Sequence, residues 1–245
     1  MATTHDRLLA LGDCNTLGNE RTPSESYPSK LGQRLGVEVV NCGHTMSTVR
    51  EGYEYAVRQL NESTRYLTIQ YGLVDSWTSF RGAPYVLYYP DNPARQLLRK
   101  VVKSYKKIGR KLGFRRWFGE RPVVTLKEYR QTIGNIIVLA RDRCPQVRIC
   151  LVATAPSLEN SRNAAIEQFN AVLQQLTREE GLLYVDAYAP FAGRPEFYRD
   201  VVHLTGEAHA IIAELCVEAL RGAGPVARDP HEVRAPKESR PTSRG

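Results

Sequence analysis

Short apolar runs alternate along the chain with segments of helical spacing. The runs each end at a turn signal and predict five strands, at residues 7–11, 37–41, 66–71, 147–153 and 182–186. The spacing between them predicts helices over residues 27–35, 48–60, 125–143, 162–180 and 205–221. Strands and helices that alternate in this way form a mostly parallel sheet covered on both faces. We therefore predict a three-layer α/β/α sandwich around a five-stranded, mostly parallel sheet.

The turns that follow the first three predicted strands are the candidate active site. Cys14 follows the first strand, residues 42–46 follow the second, and residues 72–75 follow the third. Binding and catalytic sites in parallel sheets collect at the carboxyl ends of the strands. We expect these three turns to meet at one edge of the sheet.

Length and composition favour one α/β domain. The 245 residues are 42% hydrophobic and 24% charged, which is enough to bury a substantial core. We assign residues 1–221 to this domain and predict a disordered tail over residues 222–245, which are rich in Gly, Pro, Arg and Ser. No apolar run approaches the length of a signal peptide core or of a membrane span. The five cysteines are odd in number and lack a Cys-x-x-Cys pair, so we expect free thiols and a cytoplasmic protein.

The net charge of +8 is concentrated in one segment. Between Arg95 and Arg121 there are eleven Lys or Arg residues and a single acid, Glu120, so this segment has a charge of +10 and the remainder one of −2. It belongs to a basic and aromatic insertion at residues 80–121, which we expect to cap the site. Four aromatic residues are candidates to line a substrate pocket there: Trp77, Tyr85, Tyr88 and Tyr89. The alternative is a solvated basic helix with an aromatic hinge.

Two motifs at opposite ends of the chain resemble those of the SGNH (GDSL-type) hydrolases. Gly12-Asp13-Cys14 corresponds to the family's Gly-Asp-Ser, and Asp200-Val-Val-His203 corresponds to its late Asp-x-x-His. The resemblance implies a flavodoxin-like topology and a catalytic triad in which Cys14 replaces the nucleophilic serine. His203 would be the base and Asp200 would orient it. A cysteine near its ordinary pKa, activated by a histidine, is a strong nucleophile.

The resemblance is weaker at the oxyanion hole. The family builds this hole from the N–H of the nucleophile, the N–H of a glycine after the second strand, and an asparagine side chain after the third. In this chain the first donor would be Cys14, and the second is either Gly43 or Met46. Val74 replaces the asparagine, which removes one side-chain donor. The supporting residues that the resemblance implies are Asp13, Asn15, Gly72 and Asp75, and Asn15 or Thr45 is a candidate substitute donor.

We interpret the intact triad positions as evidence of acyl-transfer chemistry through a thioester. An esterase, a thioesterase and an acyltransferase all fit, with a small-molecule or carrier-bound acyl substrate or an acylated glycan. The alternative is a catalytically silent module that retains the pocket and binds through its basic surface.

The basic segment indicates an anionic partner. An acidic acyl-carrier protein or a phosphate-bearing glycan precursor fits an acyl-transfer site, and peripheral docking on a membrane surface competes with both. We expect no nucleic acid, since no nucleic-acid-binding signature accompanies the charge. The histidines and cysteines lack metal-ligand spacing and there is no glycine-rich phosphate loop, so we predict no metal and no cofactor.

Overall fold

The computed structural model describes residues 6–222, and the tail predicted at residues 222–245 lies almost entirely outside them. Five parallel strands form the main sheet in the order β2-β1-β3-β6-β7. Their bounds are β1 Arg7–Gly12, β2 Glu38–Gly43, β3 Thr64–Gln70, β6 Arg148–Val152 and β7 Leu183–Val185. The predicted α/β fold with a mostly parallel five-stranded sheet is confirmed.

Helices cover both faces of the sheet and divide the core into two layers. The long helices of the sandwich are α2 Tyr27–Leu35, α3 Val49–Gln59, α6 Leu126–Arg143, α7 Asn163–Glu180 and α8 Gly206–Gly222. Strand β1 contributes side chains to both core layers, because successive side chains of a strand point to opposite faces of the sheet. Leu9 and Leu11 pack in the core with residues of α3, α6 and α7, whereas Leu8 packs with residues of α2 and α8.

A narrow ribbon joins the basic insertion to the sandwich. The antiparallel strands β4 Thr78–Phe80 and β5 Glu120–Pro122 pair with each other. Between them lie the helices α4 Pro93–Lys111 and α5 Phe114–Phe118. This ribbon follows β3 directly, so it holds the insertion beside the carboxyl edge of the sheet. The sequence pattern did not indicate the ribbon, because three-residue strands are too short to show a period.

Candidate active site

Cys14 begins a four-residue helix, α1 Cys14–Leu17, immediately after the turn that ends β1. The preceding residue caps this helix, since Asp13 Oδ1 accepts a hydrogen bond of 2.9 Å from the N–H of Asn15. The Cys14 side chain is 7% exposed and packs against Leu73 and Ile166. The thiol is therefore held at the carboxyl edge of the sheet, beside the loop that follows β3.

Asp200 and His203 form a hydrogen-bonded pair on the loop before α8. Asp200 Oδ2 lies 2.6 Å from His203 Nδ1, and Asp200 Oδ1 accepts the N–H groups of Val202 and His203, each at 2.9 Å. Burial alone would raise the pKa of Asp200, but these hydrogen bonds outweigh it and lower the pKa to about 2. An ionised carboxylate can only accept, so Nδ1 carries the ring proton and Nε2 is left as an acceptor.

The side chain of Asn15 connects these two parts of the site. Its Nδ2 donates to the carbonyl of Val202 at 3.0 Å, and its Oδ1 accepts the N–H of Leu204 at 3.2 Å. These partners are the two neighbours of His203, and Val202 also packs against the cluster that contains Cys14. One buried amide thus fixes the histidine loop to the cysteine turn across 187 residues of sequence. Asn15 is consequently engaged as a tether, which leaves it unsuited to the substitute oxyanion role considered above.

The pKa of the Cys14 thiol is raised, whereas the sequence analysis expected a cysteine near its ordinary pKa. Burial, and after it the nearby Asp13 carboxylate, raises the pKa of this thiol far above its usual range, and Asp200 adds to the effect. Burial also raises the pKa of Asp13 to about 7. A thiol in this environment is nucleophilic only if a base removes its proton during the attack.

Asp13→Asn is expected to shift the alkylation of Cys14 to lower pH. The Asp13 carboxylate is charged above its pKa of about 7 and there disfavours the thiolate, so its removal lowers the pKa of the thiol. The amide oxygen of asparagine can still accept the N–H of Asn15. The measurement is the iodoacetamide rate at Cys14 between about pH 7 and 10, followed by peptide mass spectrometry, with Cys42 of the same molecules as internal control. Superimposable profiles for parent and variant would contradict the assigned cause.

The geometry distinguishes between Gly43 and Met46 as backbone donors. The N–H of Gly43 already donates to Asn41 Oδ1 at 2.9 Å. Gly43 has a packing role instead, because a Cβ there would lie 2.1 Å from the backbone nitrogen of Leu17. In contrast, the N–H groups of Cys14 and Met46 have no acceptor among the described residues. Of the backbone donors that the resemblance implies, the N–H groups of Cys14 and Met46 are therefore the ones that are free to bind an oxyanion.

Met46 has a backbone conformation that favours glycine. Its φ is +66°, and it is the sole non-glycine residue of the described chain with a positive φ. The hydroxyl of Tyr85 donates to the carbonyl of Met46 at 3.1 Å and so helps to hold this peptide. A methionine in this strained conformation, five residues after Asn41, occupies the place where the resemblance implies the family glycine.

The supporting residues of the third turn have structural partners. Asp75 is fully buried and accepts the N–H of Val49 at 2.9 Å and the N–H of Gly72 at 3.0 Å. It therefore joins the start of α3 to the loop after β3. Burial raises the pKa of Asp75 to about 7, and Asp13 contributes to the rise. Val74 is buried, and its side chain supplies no polar donor.

Three of the four candidate pocket aromatics line one cavity. Trp77, Tyr85 and Tyr88 lie around a cavity of about 520 Å³, together with Met46 and Val74. The fourth, Tyr89, does not line this cavity; its ring stacks on Tyr55 with centroids 3.7 Å apart.

Glu51 anchors the pocket loop, a role that the sequence interpretation missed. Its buried carboxylate accepts the hydroxyl of Tyr85 at 2.9 Å and the N–H of Tyr88 at 2.7 Å. It also accepts the N–H of Thr48 at 2.9 Å, as the capping box of α3. The Thr48-x-x-Glu51 spacing could have predicted the helix start, but not the contacts with the insertion.

Residues 6–222 contain neither a membrane-spanning helix nor a cluster of metal ligands. No helix between residues 6 and 222 is long and apolar enough to cross a membrane. Within that part of the chain, no group of three or more His, Cys, Asp or Glu residues is arranged to hold a metal ion.

The chain shares its fold with known structures at low sequence identity. The chain is similar to a lipase/acylhydrolase from Enterococcus faecalis, with a TM-score of 0.61 and 15% identity over 91% of this chain and 100% of the other. It is also similar to a catalytic mutant of Axe2, an acetylxylan esterase from Geobacillus stearothermophilus, with a TM-score of 0.58 and 20% identity over 88% and 94%. A third similar structure is a lipolytic protein of the G-D-S-L family from Veillonella parvula, with a TM-score of 0.55 and 13% identity over 88% and 98%.

The family itself is established by sequence. Residues 10–211 match the model of the GDSL-like lipase/acylhydrolase family, and no curated protein matches the chain. The chain therefore belongs to the GDSL-like lipase/acylhydrolase family. Its enzymatic class is that of the ester-bond hydrolases.

Proposed function

We propose that this enzyme cleaves an acyl ester through a thioester on Cys14, with His203 as base and Asp200 as its orienting partner. The observation that supports this most strongly is the Asn15 tether. It binds both neighbours of His203 and thereby holds the Asp200–His203 pair against the cysteine turn. Because His203 Nδ1 is engaged with Asp200 Oδ2 at 2.6 Å, the other ring nitrogen, Nε2, is free to take the proton from the thiol.

In the first half-reaction, Cys14 Sγ attacks the carbonyl carbon of the ester while His203 Nε2 takes the thiol proton. The tetrahedral oxyanion accepts hydrogen bonds from the N–H groups of Cys14 and Met46. When the carbon–oxygen bond breaks, the departing alkoxide takes the proton from Nε2 and leaves as an alcohol. The acyl group remains on Cys14 as a thioester.

In the second half-reaction, an acceptor attacks the thioester carbonyl and gives its proton to His203 Nε2. The bond between the acyl carbon and Cys14 Sγ then breaks, and the departing thiolate takes the proton from His203 Nε2. The enzyme thereby returns to its starting state. Water gives hydrolysis, and an amine, a thiol or an alcohol gives transfer. A thioester reacts with amines and thiols more readily than an oxygen ester does, so transfer competes better here than in a serine enzyme.

The test is rapid-mixing kinetics with p-nitrophenyl acetate. We expect an initial burst of about one nitrophenol per enzyme, because nitrophenol is a good leaving group and acylation of the cysteine should be faster than attack of water on the thioester. His203→Ala should remove the burst. An added thiol acceptor should raise the steady-state rate and yield the acetylated thiol. A burst that survives in His203→Ala would refute the assignment of the base.

A further inference from the structure

The cavity beside the site has a strongly cationic wall. Its volume is about 520 Å³, and it lies between α4 and the loops that follow β2 and β3. Met46 and Val74 form the side nearest the active site. The insertion contributes six basic side chains to the lining: Arg99, Lys103, Lys106, Lys107, Arg110 and Arg115.

Most of this charge lacks a partner within the protein. Arg99 pairs with Asp91, and Arg115 lies 3.4 Å from Glu120. The other four cations, Lys103, Lys106, Lys107 and Arg110, form no salt bridge within the described residues. Neither α4 nor α5 contains an acidic residue. Like charges gathered around a cavity repel one another, and a bound anion relieves that repulsion.

Lys106 is more buried than the other three unpaired cations, which are exposed. Its side chain is half-buried, and its ammonium lies 6.0 Å from the ring centroid of Tyr85. Burial lowers the pKa of Lys106, and the nearby Arg50 lowers it further. Both effects disfavour the charged form in the absence of a ligand. An anion in the cavity would favour it.

The cavity is linked to the Cys14 turn through Leu73 and Val74, although neither Cys14 nor His203 lines it. Cys14 packs against Leu73, and the next residue, Val74, lines the cavity. Met46, whose N–H has no acceptor among the described residues, lines it as well. A substrate whose ester is held at Cys14 can therefore extend into the cationic cavity.

The arrangement of α4 separates its cations from its exposed apolar residues. At 3.6 residues per turn, Lys103, Lys107 and Arg110 lie on one flank of the helix. The opposite flank presents large apolar side chains to solvent, and these are Leu97, Val101, Tyr105, Ile108 and Leu112. A membrane bound through the apolar flank would leave the cavity cations on the opposite flank without a counter-charge, whereas an anion inside the cavity would neutralise them.

We propose that this cavity is an anion-binding subsite that holds a phosphate or pyrophosphate group of the acyl substrate. The substrate class is thus an acyl ester that carries phosphate elsewhere in the molecule. Four unpaired cations carry more positive charge than one carboxylate can neutralise. Lysine ammonium groups and the planar guanidinium of arginine both bind phosphate oxygens well. As a statement about substrate, this inference rests on the proposed function, although the anion site can be tested without catalysis.

The test is calorimetric binding of inorganic pyrophosphate to protein carrying Cys14→Ala, at about 0.15 M salt, where charges beyond about 8 Å are screened. Lys103→Glu with Lys107→Glu should weaken binding by at least about tenfold, because two attractive charges become repulsive at the ligand. The matched control is Lys100→Glu with Lys111→Glu, which makes the same change of charge on the same helix outside the cavity lining. It should change the affinity by less than about threefold. If the charge reversal disturbs folding, the milder pair Lys103→Gln with Lys107→Gln replaces it. This pair should cause an intermediate loss of affinity.

Two results would overturn the anion site. Equal losses in the cavity pair and the control pair would mean that only the overall charge matters. Binding to phosphatidylglycerol vesicles without any binding of pyrophosphate would assign the cations to a membrane surface. Because the assay uses the Cys14→Ala protein, pyrophosphate binding can succeed even if the thioester mechanism fails. Conversely, Cys14-dependent ester turnover without pyrophosphate binding would leave the proposed function intact and remove this subsite.

Discussion

Asp200→Asn is expected to lower kcat for a small neutral ester by roughly 10³- to 10⁴-fold. The amide oxygen can still accept the N–H groups of Val202 and His203, so the loop should keep its shape. The amide nitrogen would face His203 Nδ1 as a donor and favour the tautomer with the proton on Nε2. A protonated Nε2 cannot accept the proton of Cys14. The measurement is steady-state turnover together with the free energy of unfolding.

The matched control for this substitution is Asp186→Asn. Asp186 is likewise exposed and accepts backbone N–H groups, those of Tyr188 and Ala189, but it does not contact His203. The Asp186→Asn substitution makes the same change of charge, and kcat should stay within about twofold of the parent value. If Asp200→Asn also retained parental turnover, His203 would not depend on Asp200 for its tautomer, and the triad would be wrong.

Cys14→Ser is expected to lower kcat by roughly 10²-fold or more, although it restores the family's nucleophile. An alcohol is harder to deprotonate than a thiol, and the buried position beside Asp13 and Asp200 already disfavours negative charge on residue 14. The buried Val74 contributes no hydrogen bond to the oxyanion. Adding Val74→Asn to Cys14→Ser should therefore recover about tenfold or more of the loss.

Cys42→Ser is the control for placing a hydroxyl in a buried cysteine position. Cys42 is 6% exposed, close to the 7% of Cys14, and lies in β2 within the core. Its substitution should change stability but not the kcat of the folded enzyme. A Cys14→Ser enzyme as active as the parent would show that the thiol has no special role here.

The fold could be predicted from the sequence because the helical spacing and the apolar strand runs are both well marked. The helix over Tyr27–Leu35 has the predicted bounds, and the five strands differ from prediction by at most two residues at either end. Strands that alternate with amphipathic helices leave few ways to bury both faces of a sheet. The β4–β5 ribbon and the four-residue α1 were missed, since neither is long enough to show periodicity.

The candidate residues of the site could be proposed from the sequence, but their electrostatics could not. Gly-Asp-Cys and Asp-x-x-His are local motifs, so they can be recognised along the chain. The raised pKa of Cys14 depends on burial and on the carboxylates of Asp13 and Asp200, which only the fold brings together. The choice of Met46 over Gly43 likewise required the φ of +66° and the bond from Gly43 to Asn41.

The covalent acyl-enzyme that we expect on Cys14 can be trapped and identified by mass spectrometry. The enzyme would be mixed with p-nitrophenyl acetate, quenched in acid during the first turnovers, and analysed by intact-mass and peptide mass spectrometry. We predict a gain of one acetyl group located on Cys14, absent in Cys14→Ala and strongly reduced in His203→Ala. An acetyl group on another residue, or turnover in the parent enzyme with no acylated Cys14 at any quench time, would contradict the account.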